Sequence, residues 1–230
     1  MSCGGYGGLV PVPLTLGVPK RREDRPLTAR LLLVSGDDGM VTEELAPMIG
    51  DRVVPLSELP PPADAPAGVI GAVDLREAST FEPPPGLALH IDCTPHQVST
   101  VLELPVTAAV FVAGAVDVEL VRAITAAGFR AGIDFAAPVE QVADFLAVLA
   151  HADTGFVGRV RTGREALAAI AATVAALRGD DVRAAFTDPD AAALARLNPD
   201  AAAAVREVLI GIEVTDSGSV ARDLAALSNS

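Results

Sequence analysis

His90-Ile91-Asp92-Cys93-Thr94-Pro95-His96 gathers the side chains of this sequence best suited to chemistry. Two of the three histidines and one of the two cysteines fall there, with an aspartate between them. Most of the surrounding residues are Ala, Val, Leu, Gly or Pro. Three readings fit the cluster. Cys93 is a nucleophile with His90 or His96 as its base. Alternatively, His90, Asp92 and His96, joined by Asp74 or Cys93, ligate a divalent metal such as Zn, Mg or Mn. In the plainest reading Cys93 is buried, Thr94 belongs to a capping turn and one or two of the histidines lie on the surface.

The cluster needs a strand and a helix to hold it. Leu87 to Asp92 reads as a short strand after the Pro83-Pro84-Pro85-Gly86 break. A period of two puts His90 and Asp92 on one side of that strand. Thr94 then suits an N-cap, Pro95 the first helical position and Gln97 a capping box. Cys93 thus precedes a helix N-terminus, where the dipole is expected to favour a thiolate.

Acids recur where strands are expected to stop: Asp37 and Asp38, Asp74, Asp92 and Asp134. In a parallel α/β fold such ends converge on one edge, where ligands bind. Clustered carboxylates there would hold Mg or Mn, or divide into acid and base, with Asp134 a catalytic candidate. Asp also caps turns, which is the structural alternative. Arg159, Arg161 and Arg164 flank Gly158 and Gly163 and make a substrate-binding candidate for an anionic group. A solvated strand-to-helix turn explains the same residues. No phosphate-loop pattern and no G-x-S-x-G elbow is present.

The alternation of elements argues for α/β. Strands are expected at 29–34, 52–56, 68–74, 87–92, 106–112, 129–135 and 155–160. Helices are expected through Glu43 to Met48, over 117–127, after Pro138, and over 163–178 with Leu167, Ile170, Val174 and Leu177 on one face. Further helices follow Asp188-Pro189, Asn198-Pro199 and Ser217-Gly218. The sheet is mainly parallel, doubly wound or an irregular β/α barrel, with a helical C-terminal region. No crossover helix is apparent from 52 to 92. The expected organisation is a flexible lead over 1–28, an α/β domain over 29–160 and an Ala-rich helical region over 161–230. That last region packs on the sheet or on a partner subunit.

The stretch Glu119 to Phe135, a helix running into Gly-Phe-Arg-Ala-Gly-Ile-Asp-Phe, resembles the corresponding helix and strand of EAL-type barrels. The paired aspartate, the Glu-Ala-Leu motif and the catalytic lysine implied by that resemblance are missing. It covers less than a tenth of the chain, and no function is carried over from it.

Composition narrows the functional classes. The net charge of −13 disfavours nucleic acid and anionic membrane surfaces. Lys20 is the only lysine and lies in the expected lead, which argues against Schiff-base chemistry. Cys3 and Cys93 form no disulfide framework, and a reducing cytoplasm is the expected home. Half the residues are hydrophobic, enough for a sizeable core. Two functions follow as expectations. One is a cytoplasmic enzyme, hydrolase or lyase, acting on a small polar metabolite. The other is a non-catalytic scaffold or regulatory subunit whose Ala-rich helices bind a partner protein or form a homo-oligomer.

Overall fold

A computed structural model describes residues 26–36, 42–60, 67–77 and 81–227. Asp37, Asp38, Cys3, Lys20 and most of the expected N-terminal lead lie outside the described residues.

Eight strands close into an all-parallel barrel in sequence order. They are β1 Leu32–Ser35, β2 Ile49–Pro55, β3 Val69–Asp74, β4 Ala88–Cys93, β5 Thr107–Val112, β6 Arg130–Asp134, β7 Phe156–Arg159 and β8 Leu209–Val214. Of the two architectures open to the sequence, the irregular β/α barrel is the one formed. Closure comes from β8, which pairs with β7 on one side and β1 on the other.

The helices are unevenly distributed. After β4, α1 (Val98–Leu102) leads to β5, α2 (Val118–Ala126) to β6 and α3 (Val139–Leu149) to β7. Four helices lie between β7 and β8: α4 (Gly163–Arg178), α5 (Val182–Thr187), α6 (Ala191–Ala195) and α7 (Pro199–Val208). The last, α8 (Ser217–Leu224), follows β8. The connections from β1 through β4 hold no α-helix among the described residues. The expected helix through Glu43 to Met48 is instead a turn and a 3-10 segment, Ala46–Met48, with Pro47 inside it. A proline there removes a backbone donor and interrupts an α-helical ladder. No helix among the described residues is long and apolar enough to cross a membrane.

Local signals account for many helix starts. Thr94 and Gln97 complete a capping box. Asp117 caps α2, Thr162 α4, Asn198 α7 and Asp216 α8, each by accepting a backbone N–H near the helix start. Two elements differ from expectation. The sequence reading omits α5, and the region taken as wholly helical contains β8. No breaker separates Val208 from Leu209, so the apolar pattern runs directly from α7 into the strand. The expected boundary at 160/161 therefore falls inside a single barrel.

Two layers of side chains are built on the strands. Outward residues such as Leu89, Ile91, Val110, Ile133 and Phe156 join the helices in the main core. A smaller inner cluster contains Leu33, Val53, Ile70, Ala109, Phe111 and Val157. Above it, the last inward position on several strands is polar: Asp74, Asp92, Asp134, Arg159 and Glu213. This change from apolar to charged marks the C-terminal mouth.

Candidate functional site at the barrel mouth

Arg159, at the end of β7, is the centre of the mouth. Its Nη1 and Nη2 donate to Asp92 Oδ1 and Oδ2 at 2.6 and 2.9 Å. Its Nε donates to Glu213 Oε2 at 3.1 Å. The same Glu213 oxygen lies 2.7 Å from His90 Nδ1. A chain of contacts thus crosses the lumen from β4 to β7 and β8. It joins residues of three strands, and the fork of Arg159 matches the Asp92 carboxylate in bidentate geometry.

Phe111 supports this network. The Arg159 guanidinium carbon sits 3.7 Å from its ring centroid, and the His90 ring lies 5.5 Å away from it. The cation meets the negative face of the aromatic ring. Gly132, the register partner of Phe111 on β6, leaves room for that ring. A Cβ at Gly132 would come within 2.4 Å of Phe111 Cδ1. Gly132→Ala is therefore expected to displace Phe111 and cost about 1–3 kcal/mol through overpacking. Urea denaturation checks this. A stability equal to wild type would mean that the ring finds an equally good position.

Burial raises the proton affinity of Glu213, but its hydrogen bond with His90 and the Arg159 charge outweigh that effect and hold its carboxyl below the ordinary range. Ionised Glu213 accepts a hydrogen bond from His90 Nδ1–H, which orients the ring. Desolvation works against the charge of Arg159, yet Asp92 and Glu213 outweigh it and strengthen its hold on the proton. Glu213 has a lower folded than unfolded pKa. Its stabilising contribution is present above the ordinary value of 4.5 and is lost as pH falls through the folded value. Denaturation midpoints should drop below that pH, and Glu213→Gln should flatten the decline. An unchanged acid profile in the variant would count against this linkage.

A second charged pair borders the mouth. Arg76 follows β3 and donates from Nε to Asp74 Oδ1 at 2.8 Å, while its Nη2 engages Asp74 Oδ2. The hydrogen bonds from Arg76 hold the Asp74 carboxyl below its ordinary range, against the opposing effect of desolvation. On β6, Asp134 accepts from Arg161 Nη2 at 2.8 Å and from the Ala136 N–H at 2.9 Å. These pairs are substantially exposed and contribute little to stability.

A cleft of about 370 Å³ opens among these groups, lined by Arg76, Asp92, Phe111, Gly114, Asp134 and Arg159. A smaller recess of about 140 Å³ shares Asp134 and Arg159 and adds Ser35, Arg161, Glu213 and Thr215. A larger surface groove of about 460 Å³ lies between α2 and α3, lined by Arg122, Val148 and His151. It lies away from the mouth and lacks the charges that converge from several strands there.

No family model, curated protein or solved structure matches this chain. The assignment of the site therefore rests on its geometry.

The expected cluster separates. His90 and Asp92 enter the lumen, while Cys93 points outward into the core between barrel and helices. Cys93 is fully buried, and burial first, then the Asp92 and Asp74 charges, push its thiol up to about 11 despite Arg76. The expectation of a dipole-activated thiolate is corrected by this desolvation. In a Cys3→Ser background, alkylation of Cys93 at pH 8 should be far slower in the folded than in the denatured protein. Equal rates would contradict its burial.

The expected metal set is corrected as well. His90 is held by Glu213, Asp92 by Arg159 and Asp74 by Arg76, while His96 is exposed on the turn after β4. Among the described residues, no group of three His, Cys, Asp or Glu side chains is arranged to hold a metal. Arg159 and Arg161 reach the mouth, but Arg164 donates to the Thr187 carbonyl at the end of α5. Sequence reading missed Arg76, Phe111 and Glu213. Glu213 carried a visible signal, as the single charge in Leu-Ile-Gly-Ile-Glu-Val.

Proposed function

We propose that this chain is an enzyme acting on a small polar metabolite at the barrel mouth, by general acid–base chemistry of the hydrolase or lyase kind. The convergence of charged residues from β3, β4, β6 and β7 on a 370 Å³ cleft carries this reading. Barrels of this architecture place their chemistry at that end. Arg76 and Arg159 would hold an anionic group and stabilise charge developing on it. Asp134, half-exposed on the cleft wall, is the acid–base candidate. His90 and Glu213 are positioning residues that hold Arg159 from below. The cysteine usage favours a cytoplasmic setting.

One observation favours a second reading, the scaffold. All three Arg159 nitrogens already contact carboxylates, as a purely structural network requires. Native mass spectrometry of protein purified without chelator, followed by incubation with a metabolite mixture, separates the two. The enzyme reading expects a retained small molecule and a product that disappears with Asp134→Asn. Neither a retained molecule nor turnover would favour the scaffold, with association of copies or of a partner through the Ala-rich helices.

A further inference from the structure

The charges around the cleft restrict what can enter it. Arg76, Arg159 and Arg161 supply three cations, and Asp74, Asp92, Asp134 and Glu213 supply four anions. Among these described side chains the acids and the arginines nearly balance. A polyanion would meet the four carboxylates, while a simple cation would lie beside Arg76 and Arg159. The signs are also distributed over the cleft. Arg76 enters from the end of β3, and its Nη1 is not used by Asp74. Asp134 stands at the end of β6, half-exposed, with each carboxylate oxygen able to accept a further hydrogen bond. Between them, Val112, Val116 and Ala137 add an apolar wall.

We propose that the cleft binds a small zwitterion of the amino-acid type, its carboxylate on Arg76 and its ammonium on Asp134. This rests on the reading of the mouth as a small-molecule site. The apolar wall takes a short aliphatic part. The cleft volume lies at the lower end of the range for small-molecule pockets and suits a small ligand. Asp92 and Glu213 hold Arg159 in place and take up its charge, so Arg76 supplies the contact for the carboxylate.

Titration calorimetry of the full chain tests this with L-valine and 4-aminobutanoate as zwitterions, succinate and inorganic phosphate as anions, and putrescine as a dication. At least one zwitterion should bind saturably and at least tenfold more tightly than succinate, phosphate or putrescine. Arg76→Gln and Asp134→Asn should each weaken it tenfold or more, with circular dichroism unchanged because both side chains are half-exposed. Tightest binding of succinate or phosphate, strengthened by Asp134→Asn, would overturn the zwitterion while leaving the mouth as a ligand site. Binding unaffected by either substitution would overturn the assignment of both residues. No saturable binding by any probe overturns the zwitterion. A failure to recover any metabolite by native mass spectrometry would remove the mouth reading with it.

Discussion

Arg159→Met should destabilise the protein by about 3–5 kcal/mol at neutral pH. The substitution preserves much of the side-chain volume but leaves Asp92 and Glu213 without their shared cation. Both carboxylates are mostly buried, at 20% and 11% side-chain exposure, so water compensates them poorly. For a chain of this size the loss corresponds to a fall in melting temperature of roughly 6–20 °C. Urea denaturation at pH 7 and at pH 4 provides the measurement. The difference from wild type should shrink at the lower pH as the stranded carboxylates take up protons. Adding Asp92→Asn to Arg159→Met should recover part of the loss, because one uncompensated charge is then removed. A single-variant loss below about 1 kcal/mol would show that the mouth relaxes and hydrates the two acids, as exposed pairs do.

Val174→Asp should be comparably damaging, at on the order of 5 kcal/mol if the charge stays desolvated. Val174 is buried on α4, and Ile170 one turn earlier is fully inaccessible. The face packs against elements of the same chain, with α3, α5, α7 and α8 all in contact with α4. The expected result is unfolding or aggregation, seen as loss of the far-ultraviolet helical signal or of soluble protein. A folded variant that sediments as a smaller species would instead make this face a subunit seam. A variant matching wild type in stability and size would contradict the burial itself.

The contrast between these two sites shows what can be read along a chain. The α4 face announces itself through large aliphatic residues at helical spacing, a local signal. The strand period likewise anticipates that His90 and Asp92 share a side. The same period puts Cys93 on the opposite side, so its separation from them was also legible. The attraction of a helix N-terminus for a thiolate obscured that parity, and desolvation proved the stronger effect at a fully buried sulfur. What no local pattern contains is the pairing across the lumen. His90 and Glu213 are 123 positions apart and meet only because eight strands close. Arg159 was visible as an anion-binding candidate, but its carboxylate partners required the barrel. The strand β8 escaped notice because its apolar pattern continues that of α7 without a break. Even so, the absence of a crossover helix from 52 to 92 was a correct observation among the described residues. The barrel closes with no α-helix among the described residues of that flank.

The pairing of β1 with β8 imposes an order on biosynthesis. Leu32 is made long before its neighbour Ile212, which belongs to the barrel's eighth strand. At typical translation rates roughly 180 intervening positions take on the order of 10–35 s. Throughout that interval β1 presents an unpaired edge of Leu, Leu and Val, and the lumen arginine lacks its β8 carboxylate. An open parallel edge of this kind recruits other chains. The nascent protein is thus most vulnerable to aggregation just before its final strand leaves the ribosome, and a stalled or truncated product ending before residue 209 would retain that vulnerability permanently.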